Sequence, residues 1–140
     1  MRYLPWSVLA LVTYSAVAPL MRVATTGEAR IPSDVAALVS NGILVAGTVV
    51  VVYASGDRVA PYLGHAKIPY VLAAGAFLTV GILAYYRALA LGPVSTVTPV
   101  FGMFLVGSSA VGFLFLDEPF TARKALGILL AVAAVYLVTS

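Results

Sequence analysis

The sequence has no cysteine among its 140 residues, and only 9% of its residues are charged. The lack of cysteine excludes disulfide bonds, thiolate metal sites and cysteine nucleophiles. An ordinary soluble domain contains about 25% charged residues, so this chain has too few charges to cover a soluble surface. Disordered segments are rich in charge and poor in apolar residues, and the same composition therefore excludes disorder.

Apolar residues are what the sequence has in abundance, at 62% of the chain. A body of 140 residues has too little interior to bury so many of them. We therefore expect an all-α integral membrane protein surrounded by a lipid bilayer. The formal net charge is +3, but the basic residues stand singly except for Arg123–Lys124. No basic face is available for a nucleic acid partner.

Apolar runs of suitable length divide the chain into membrane spans. A helix needs about 20 mostly apolar residues to cross the hydrocarbon core of a bilayer. Gly92-Pro93 separates the third span from the fourth, because proline disfavours helix at its own position and at the residue before it. The sequence predicts a bundle of five transmembrane helices, with four as the minimum, over residues 3–24, 35–54, 69–91, 94–116 and 122–139.

The first of these runs also has some features of a signal peptide. Ala16-Val17-Ala18 matches the pattern of small residues at a cleavage site. Pro19 would follow the cut, however, and its imide nitrogen makes a poor substrate for signal peptidase. We therefore expect an uncleaved first helix.

Polar residues in the connecting segments are expected to begin two of the helices. Ser33 or Asp34 is expected to cap the second helix, because both residue types accept hydrogen bonds from free backbone N–H groups. Asp117 and Glu118 stand in the turn before the fifth helix, where acidic side chains favour a helix N-terminus. Thr121 is expected to cap that last helix.

The distribution of basic residues bears on the orientation in the membrane. Five helices would place the two termini on opposite sides of the cell membrane. The N-terminal side would carry five basic residues, and the other side three, namely Arg22, Arg30 and Arg87. Positive charge is enriched on the cytoplasmic side, so we expect a cytoplasmic N-terminus. The bias is small enough to leave insertion in both orientations open.

Polar side chains within or at the ends of the spans are candidates for a substrate pathway, because burying them in lipid is costly. Pro99 frees a backbone carbonyl near Ser95, and interrupted helices recur at transporter sites. Arg22 and Arg87 have the alternative of snorkelling to the interface, whereas Tyr14 lies too deep for an interfacial belt. The candidates are Tyr14, Arg22, Tyr85, Tyr86, Arg87, Thr98 and Pro99.

Patterns for catalysis are absent from the sequence. No G-x-S-x-G, H-E-x-x-H or P-loop segment occurs, and His65 is the only histidine. No carboxylate pair lies within a span to serve as general acid and base. We therefore expect neither an enzyme nor a metal site nor a cofactor. The first span has no glutamate, which disfavours proton coupling through a buried carboxylate.

Small residues recur at a spacing of four in most of the predicted helices. Such pairs allow helix backbones to approach each other closely. This packing matters in lipid, because the hydrophobic effect does not drive apolar helix faces together there. They favour a compact bundle over separate anchors. The pairs are Gly42/Ala46, Gly75/Thr79, Ser108/Gly112 and Gly127/Ala131.

The C-terminal part of the chain carries a more specific pattern. Tyr85-Tyr86-Arg87-Ala88-Leu89 ends the third predicted helix, Gly92-Pro93 follows, and Val97-Thr98-Pro99 opens the fourth. Leu116-Asp117-Glu118-Pro119-Phe120-Thr121 then precedes the last helix, which contains Gly127. This arrangement resembles the EamA domain of the drug/metabolite transporter superfamily. The N-terminal part resembles the family more loosely, through Trp6 and Arg22.

The resemblance implies both an architecture and a function. Many family members contain two five-helix domains in inverted orientation, whereas this chain resembles a single one, as in short bacterial and archaeal members. It would then form half of a ten-helix inverted-repeat transporter, by pairing as an antiparallel or parallel homodimer or as a heterodimer with a related chain. The function implied is a permease or exporter that moves a small solute by alternating access. Arg22 and Arg87 favour an anionic or carboxylate-bearing solute over a cationic one.

A second function stays open at this point. A bundle of five helices could also act as a non-transporting accessory or assembly subunit of another membrane protein. That role predicts a stable complex with a membrane partner and no solute flux by the purified chain.

Overall fold

A computed structural model describes residues 3–116, 119 and 121–139 of the chain. Within these residues the fold is all-α, and five helices are long and apolar enough to span a membrane. The prediction of an all-α protein with five transmembrane helices is thereby confirmed. The helices are α1 (Leu4–Thr25), α2 (Ser33–Ser55), α3 (Ile68–Leu91), α4 (Val94–Gly102), α5 (Phe104–Phe115) and α6 (Ala122–Thr139). Asp117 and Glu118, which were expected to stabilise the turn before the last helix, lie outside the described residues.

The fourth predicted helix consists of two segments. α4 ends at Gly102 and α5 begins at Phe104, and the two together make up the candidate span Val94–Phe115. At the junction, the Met103 backbone N–H donates to the Val100 carbonyl three residues earlier, at 3.1 Å. Glycine at position 102 is a weak helix former and directly precedes this junction. The span expected over 94–116 therefore consists of two helical segments that are separated by the single residue Met103.

Backbone geometry accounts for the end of α2. Gly56 follows the helix with φ of +73°, in the left-handed region that suits glycine. Its N–H donates to the Tyr53 carbonyl at 3.2 Å, and the Asp57 N–H donates to the Val52 carbonyl at 3.2 Å. This pair of bonds is a Schellman motif, which satisfies carbonyl groups that the helix itself leaves free.

The start of α2 differs from the expectation. Pro32 occupies the N-cap position, and within the described residues no side chain caps the helix. Ser33 and Asp34 were expected to provide the cap, but both lie within the first turn instead. The physical reason is that Pro32, with φ of −54° and ψ of 137°, leads directly into the helix at Ser33. The expectation for these two residues was therefore wrong.

The chain divides into two compact units, residues 1–91 and 92–140. In the first unit α3 packs against both α1 and α2. The buried side chains of this unit cluster near the C-terminal ends of α1 and α3 and the N-terminal end of α2. They are Ala18, Met21, Thr25, Ala36, Ala37, Tyr85, Tyr86 and Leu89.

In the second unit α4 packs against α6. A groove of about 310 Å³ runs along α5 and α6, and its lining includes the small residues Ser109, Gly127 and Ala131. Lys124 also lines this groove. Its Nζ donates to the Pro119 carbonyl at 3.1 Å. The same Nζ lies 5.3 Å from the centre of the Phe113 ring. These contacts hold the start of α6 against α5.

Candidate functional site

Three helix ends meet at one end of the first unit. α1 ends at Thr25, α2 begins at Ser33 and α3 ends at Leu91. The segment between α1 and α2 folds back, and the Ile31 N–H donates to the Ala24 carbonyl at 2.9 Å. Because α1 and α3 run in the same direction and α2 runs in the opposite one, two helix C-termini and one N-terminus adjoin here.

Arg22 connects two of these helices. Its side chain is half-buried, and Nη1 donates to the Leu89 carbonyl oxygen at 2.6 Å. Leu89 is fully buried in the last turn of α3. The last four carbonyls of a helix have no partner within the helix, and a cation near a helix C-terminus is favoured by the helix dipole. Arg22 thus caps α3 from α1, a contact between residues 67 apart in the chain.

Arg87 connects α3 to α2 in a different way. Its Nη2 lies 3.9 Å from Asp34 Oδ2. Both side chains are exposed, Arg87 to 71% and Asp34 to 65%. Asp34 also stands in the first turn of α2, where a carboxylate is favoured by the helix dipole. This ion pair is long and open, so the Arg87 guanidinium keeps hydrogen-bonding capacity for other groups.

The tyrosines among the candidates fall into two groups. Tyr85 and Tyr86 are buried, and their ring centres lie 6.0 Å apart. They form part of the core beneath the helix ends, about one turn of α3 before Leu89. Tyr14 is 70% exposed on α1. It lies two turns before Arg22 on the same helix and does not belong to the buried cluster.

Thr98 and Pro99 belong to the second unit. Both lie within α4 and are half-buried. They stand just before the break at Met103, at the point where the fourth span is interrupted. Among the candidates, the first unit therefore brings together Arg22, Tyr85, Tyr86 and Arg87 only.

A cleft of about 300 Å³ opens at the three helix ends. Arg30 and Arg87 line it with positive charge, and Asp34 lines it with negative charge. Thr25 and Ser33 also contribute to the lining. The sequence indicates no binding role for Arg30, because this residue lies in a loop outside any predicted span and contributes only to the charge distribution across the membrane. Its position immediately before the Ile31-Pro32 lead into α2 is the one signal that could have placed it at this helix end.

Thr121 lies immediately before α6, and its Oγ1 accepts a hydrogen bond from the Lys124 N–H at 3.3 Å. This is the geometry of a helix N-cap.

Within the described part of the chain, no three His, Asp or Glu side chains come together as a metal site would require.

No curated protein and no solved structure matches the chain significantly. A family model does match, that of the EamA-like transporter family, over residues 1–140. The resemblance noted in the C-terminal part of the chain is thereby confirmed, and the match extends over residues 1–140. With its transmembrane helices and a family match of this length, the chain belongs to the EamA-like transporter family.

Proposed function

We propose that the chain is a permease or exporter that moves a small solute across the cell membrane by alternating access, as a dimer of five-helix protomers. The observation that carries this proposal is the match to a transporter family over residues 1–140, together with five helices able to span a membrane. The family consists of drug/metabolite-type membrane transporters, and its members are not enzymes. The chain is a multi-pass membrane protein of this family, and we propose the mechanism by which it acts.

The break in the fourth span supports a mechanism with moving helices. α4 and α5 are separated at Met103, four residues after Pro99. Interrupted helices in transporters leave backbone groups free near a substrate and provide points at which a span can bend. Thr98 and Pro99 would shape the pathway at this break.

Arg87 is the best candidate for direct contact with solute. Its side chain is exposed, and among the described residues its ion pair is the one with Asp34, at 3.9 Å. Arg22, by contrast, is held by the Leu89 carbonyl, and Tyr85 and Tyr86 are buried. We propose that these three position the helix ends around Arg87, while Tyr14 contributes from the exposed surface of α1.

Unpacked small-residue faces support pairing with a second chain. A Cβ added at Gly42 or Gly75 would meet no atom within 4 Å. Glycine faces that remain unpacked in one chain allow close approach of a helix from another. Either a second copy or a related chain would fit this role, in antiparallel or parallel orientation.

Solute flux in proteoliposomes tests the proposal. The purified chain would first be screened for stabilisation by carboxylate-bearing metabolites, because a bound solute raises apparent stability by mass action. Uptake of the best radiolabelled solute is then measured for the wild type, Arg87→Ala and Arg58→Ala. We expect flux in the wild type and the Arg58 control, and a loss of about tenfold or more for Arg87→Ala, since a charged hydrogen bond of about 1.5–3 kcal/mol would be lost.

Two outcomes would count against the proposal in different ways. Unchanged flux and affinity in Arg87→Ala would show that this residue is not in the pathway. No flux for any solute, together with a stable complex with another membrane protein, would support the accessory-subunit function instead.

The orientation in the membrane has its own test. Five spans place the two termini on opposite sides, and we propose a cytoplasmic N-terminus from the charge distribution. A pair of C-terminal reporters, one active in the cytoplasm and one active outside, should both give signal if the chain inserts in both orientations. Strong signal from only one reporter would exclude dual insertion, and cytoplasmic signal alone would reverse the proposed orientation.

A further inference from the structure

We infer that the cleft at the three helix ends of the first unit is a binding site for a small anionic group, a phosphate or a carboxylate, held by Arg30 and Arg87. This inference concerns binding and does not depend on whether the chain transports a solute. Arg30 would help to hold the anion, whereas Asp34 would weaken its binding.

The charges that line the cleft favour an anion. Among the described residues that line the cleft, Arg30 and Arg87 each contribute a guanidinium group and Asp34 contributes a carboxylate, which leaves one net positive charge. Among the described residues Arg30 forms no ion pair, and Arg87 pairs with Asp34 at 3.9 Å. Guanidinium groups present paired N–H donors that match the two oxygens of a carboxylate or phosphate.

The backbone of α2 adds further donors beside the two arginines. The first N–H groups of a helix have no acceptor within it, and none of the side chains that the structure describes caps α2. Ser33 and Asp34, which stand in this first turn, both line the cleft. The helix dipole adds partial positive charge at the same point. The arginines and the helix end therefore favour the same charge on a ligand.

The size and position of the cleft limit what it can hold. Its volume of about 300 Å³ is at the low end of the range for small-molecule sites. The cleft lies where three apolar helices end, and so at the level of the membrane interface. A free metabolite anion and the phosphate of an anionic lipid headgroup share the chemistry that this site would recognise.

Asp34 would compete with the ligand for Arg87. Its Oδ2 lies 3.9 Å from Nη2 of the Arg87 guanidinium. A bound anion must take over some of those donors and also tolerate the nearby negative charge. Removing the charge of Asp34 should therefore strengthen binding, whereas removing that of Arg30 or Arg87 should weaken it.

The test measures the Tm of the purified full chain in uncharged detergent at constant ionic strength. Sodium phosphate serves as the free anion, dihexanoylphosphatidylglycerol as the anionic lipid, and dihexanoylphosphatidylcholine as its zwitterionic control. The variants are Arg30→Gln, Arg87→Gln and Asp34→Asn. Arg58→Gln is the matched control, because Arg58 lies in the loop at the opposite ends of α2 and α3 and its loss removes the same charge.

A saturable rise in Tm is expected for the wild type and Arg58→Gln. Apparent affinity should fall about tenfold or more in Arg30→Gln and Arg87→Gln, and rise in Asp34→Asn. A response to phosphate identifies a free anion as the ligand, and a response to phosphatidylglycerol alone identifies a lipid headgroup. If Arg87→Gln does not fold, Arg30→Gln and Asp34→Asn still decide, since they predict changes of opposite sign. No saturable rise with either probe, or wild-type affinity in Arg30→Gln, would overturn the inference, whatever the flux assay shows.

Discussion

Two arginines at the ends of neighbouring membrane helices satisfy their charge in different ways. Arg22 reaches across to a backbone carbonyl of α3, whereas Arg87 extends into an exposed pair with a carboxylate of α2. An exposed ion pair contributes little to stability, about 0–1 kcal/mol. A guanidinium bonded to the carbonyl of a fully buried residue contributes more, because its loss leaves that carbonyl without its partner.

This difference predicts that Arg22→Gln destabilises the protein. The substitution removes the donor to the Leu89 carbonyl and the positive charge near the end of α3. We expect a loss of about 1.5–3 kcal/mol in the free energy of unfolding, as for other hydrogen bonds from charged groups. Unfolding by titration with SDS, followed by circular dichroism, measures the effect.

Arg58→Gln is the control for Arg22→Gln, since it removes the same charge from an exposed loop residue. It should change stability by less than about 0.5 kcal/mol. Equal and small effects of the two substitutions would mean that Arg22 only snorkels to the interface.

At the scale of elements, α6 is the shortest of the candidate spans, at 18 residues. At 1.5 Å per residue it extends about 27 Å, slightly less than the hydrocarbon core of a typical bilayer. Every turn of this helix therefore matters for crossing the membrane. The contacts of Thr121 and Lys124 at its start hold the first turn in place.

The prediction at this scale concerns Thr121. Thr121→Ala removes the Oγ1 that accepts from the Lys124 N–H, and we expect a loss of about 1 kcal/mol in stability. Thr121→Ser keeps the hydroxyl and should behave as the wild type. Hydrogen exchange of the first turn of α6 should accelerate in the alanine variant alone. Equal exchange in both variants would show that the bond does not stabilise the helix.

At the scale of the whole molecule, most large apolar side chains are exposed within a single chain. Lipid covers such surfaces in a membrane, and so does a second protein chain. The glycines at positions 42 and 75 have open space above them, which makes their helix faces suitable for close contact with a partner.

Gly75→Leu should therefore reduce pairing without harming the fold of one chain. A larger side chain at this position would meet no atom of its own chain at the Cβ, but it would hold a partner helix away. We expect a lower dimer fraction, measured by single-molecule photobleaching in liposomes, with unchanged helicity. Phe77→Leu is the control, because Phe77 is an exposed apolar residue close to Gly75 in the sequence. An unchanged dimer fraction in Gly75→Leu and in Gly42→Leu would exclude both glycine faces from the interface.

Sequence alone determined the membrane class, the number of spans and the family. These follow from local properties: the length of apolar runs, the positions of charges, and the effects of proline and glycine on the backbone. The observed helix ends lie within two residues of the predicted ones, apart from the break at Met103. That break was harder to predict, because Pro99 removes a hydrogen bond to the Ser95 carbonyl, whereas the interruption lies four residues after the proline.

Only the tertiary structure decided which groups meet at the helix ends. Arg22 and the Leu89 carbonyl are 67 residues apart, and nothing in the local sequence of either indicates the other as its partner. The same holds for Asp34, first expected as a helix cap and found beside Arg87. Arg30 is a candidate anion-binding residue because it lines the cleft at the three helix ends, which its position in the sequence does not indicate. Local sequence specifies where each helix stops, whereas the packing of the helices determines which of those ends adjoin and what their charges can bind together.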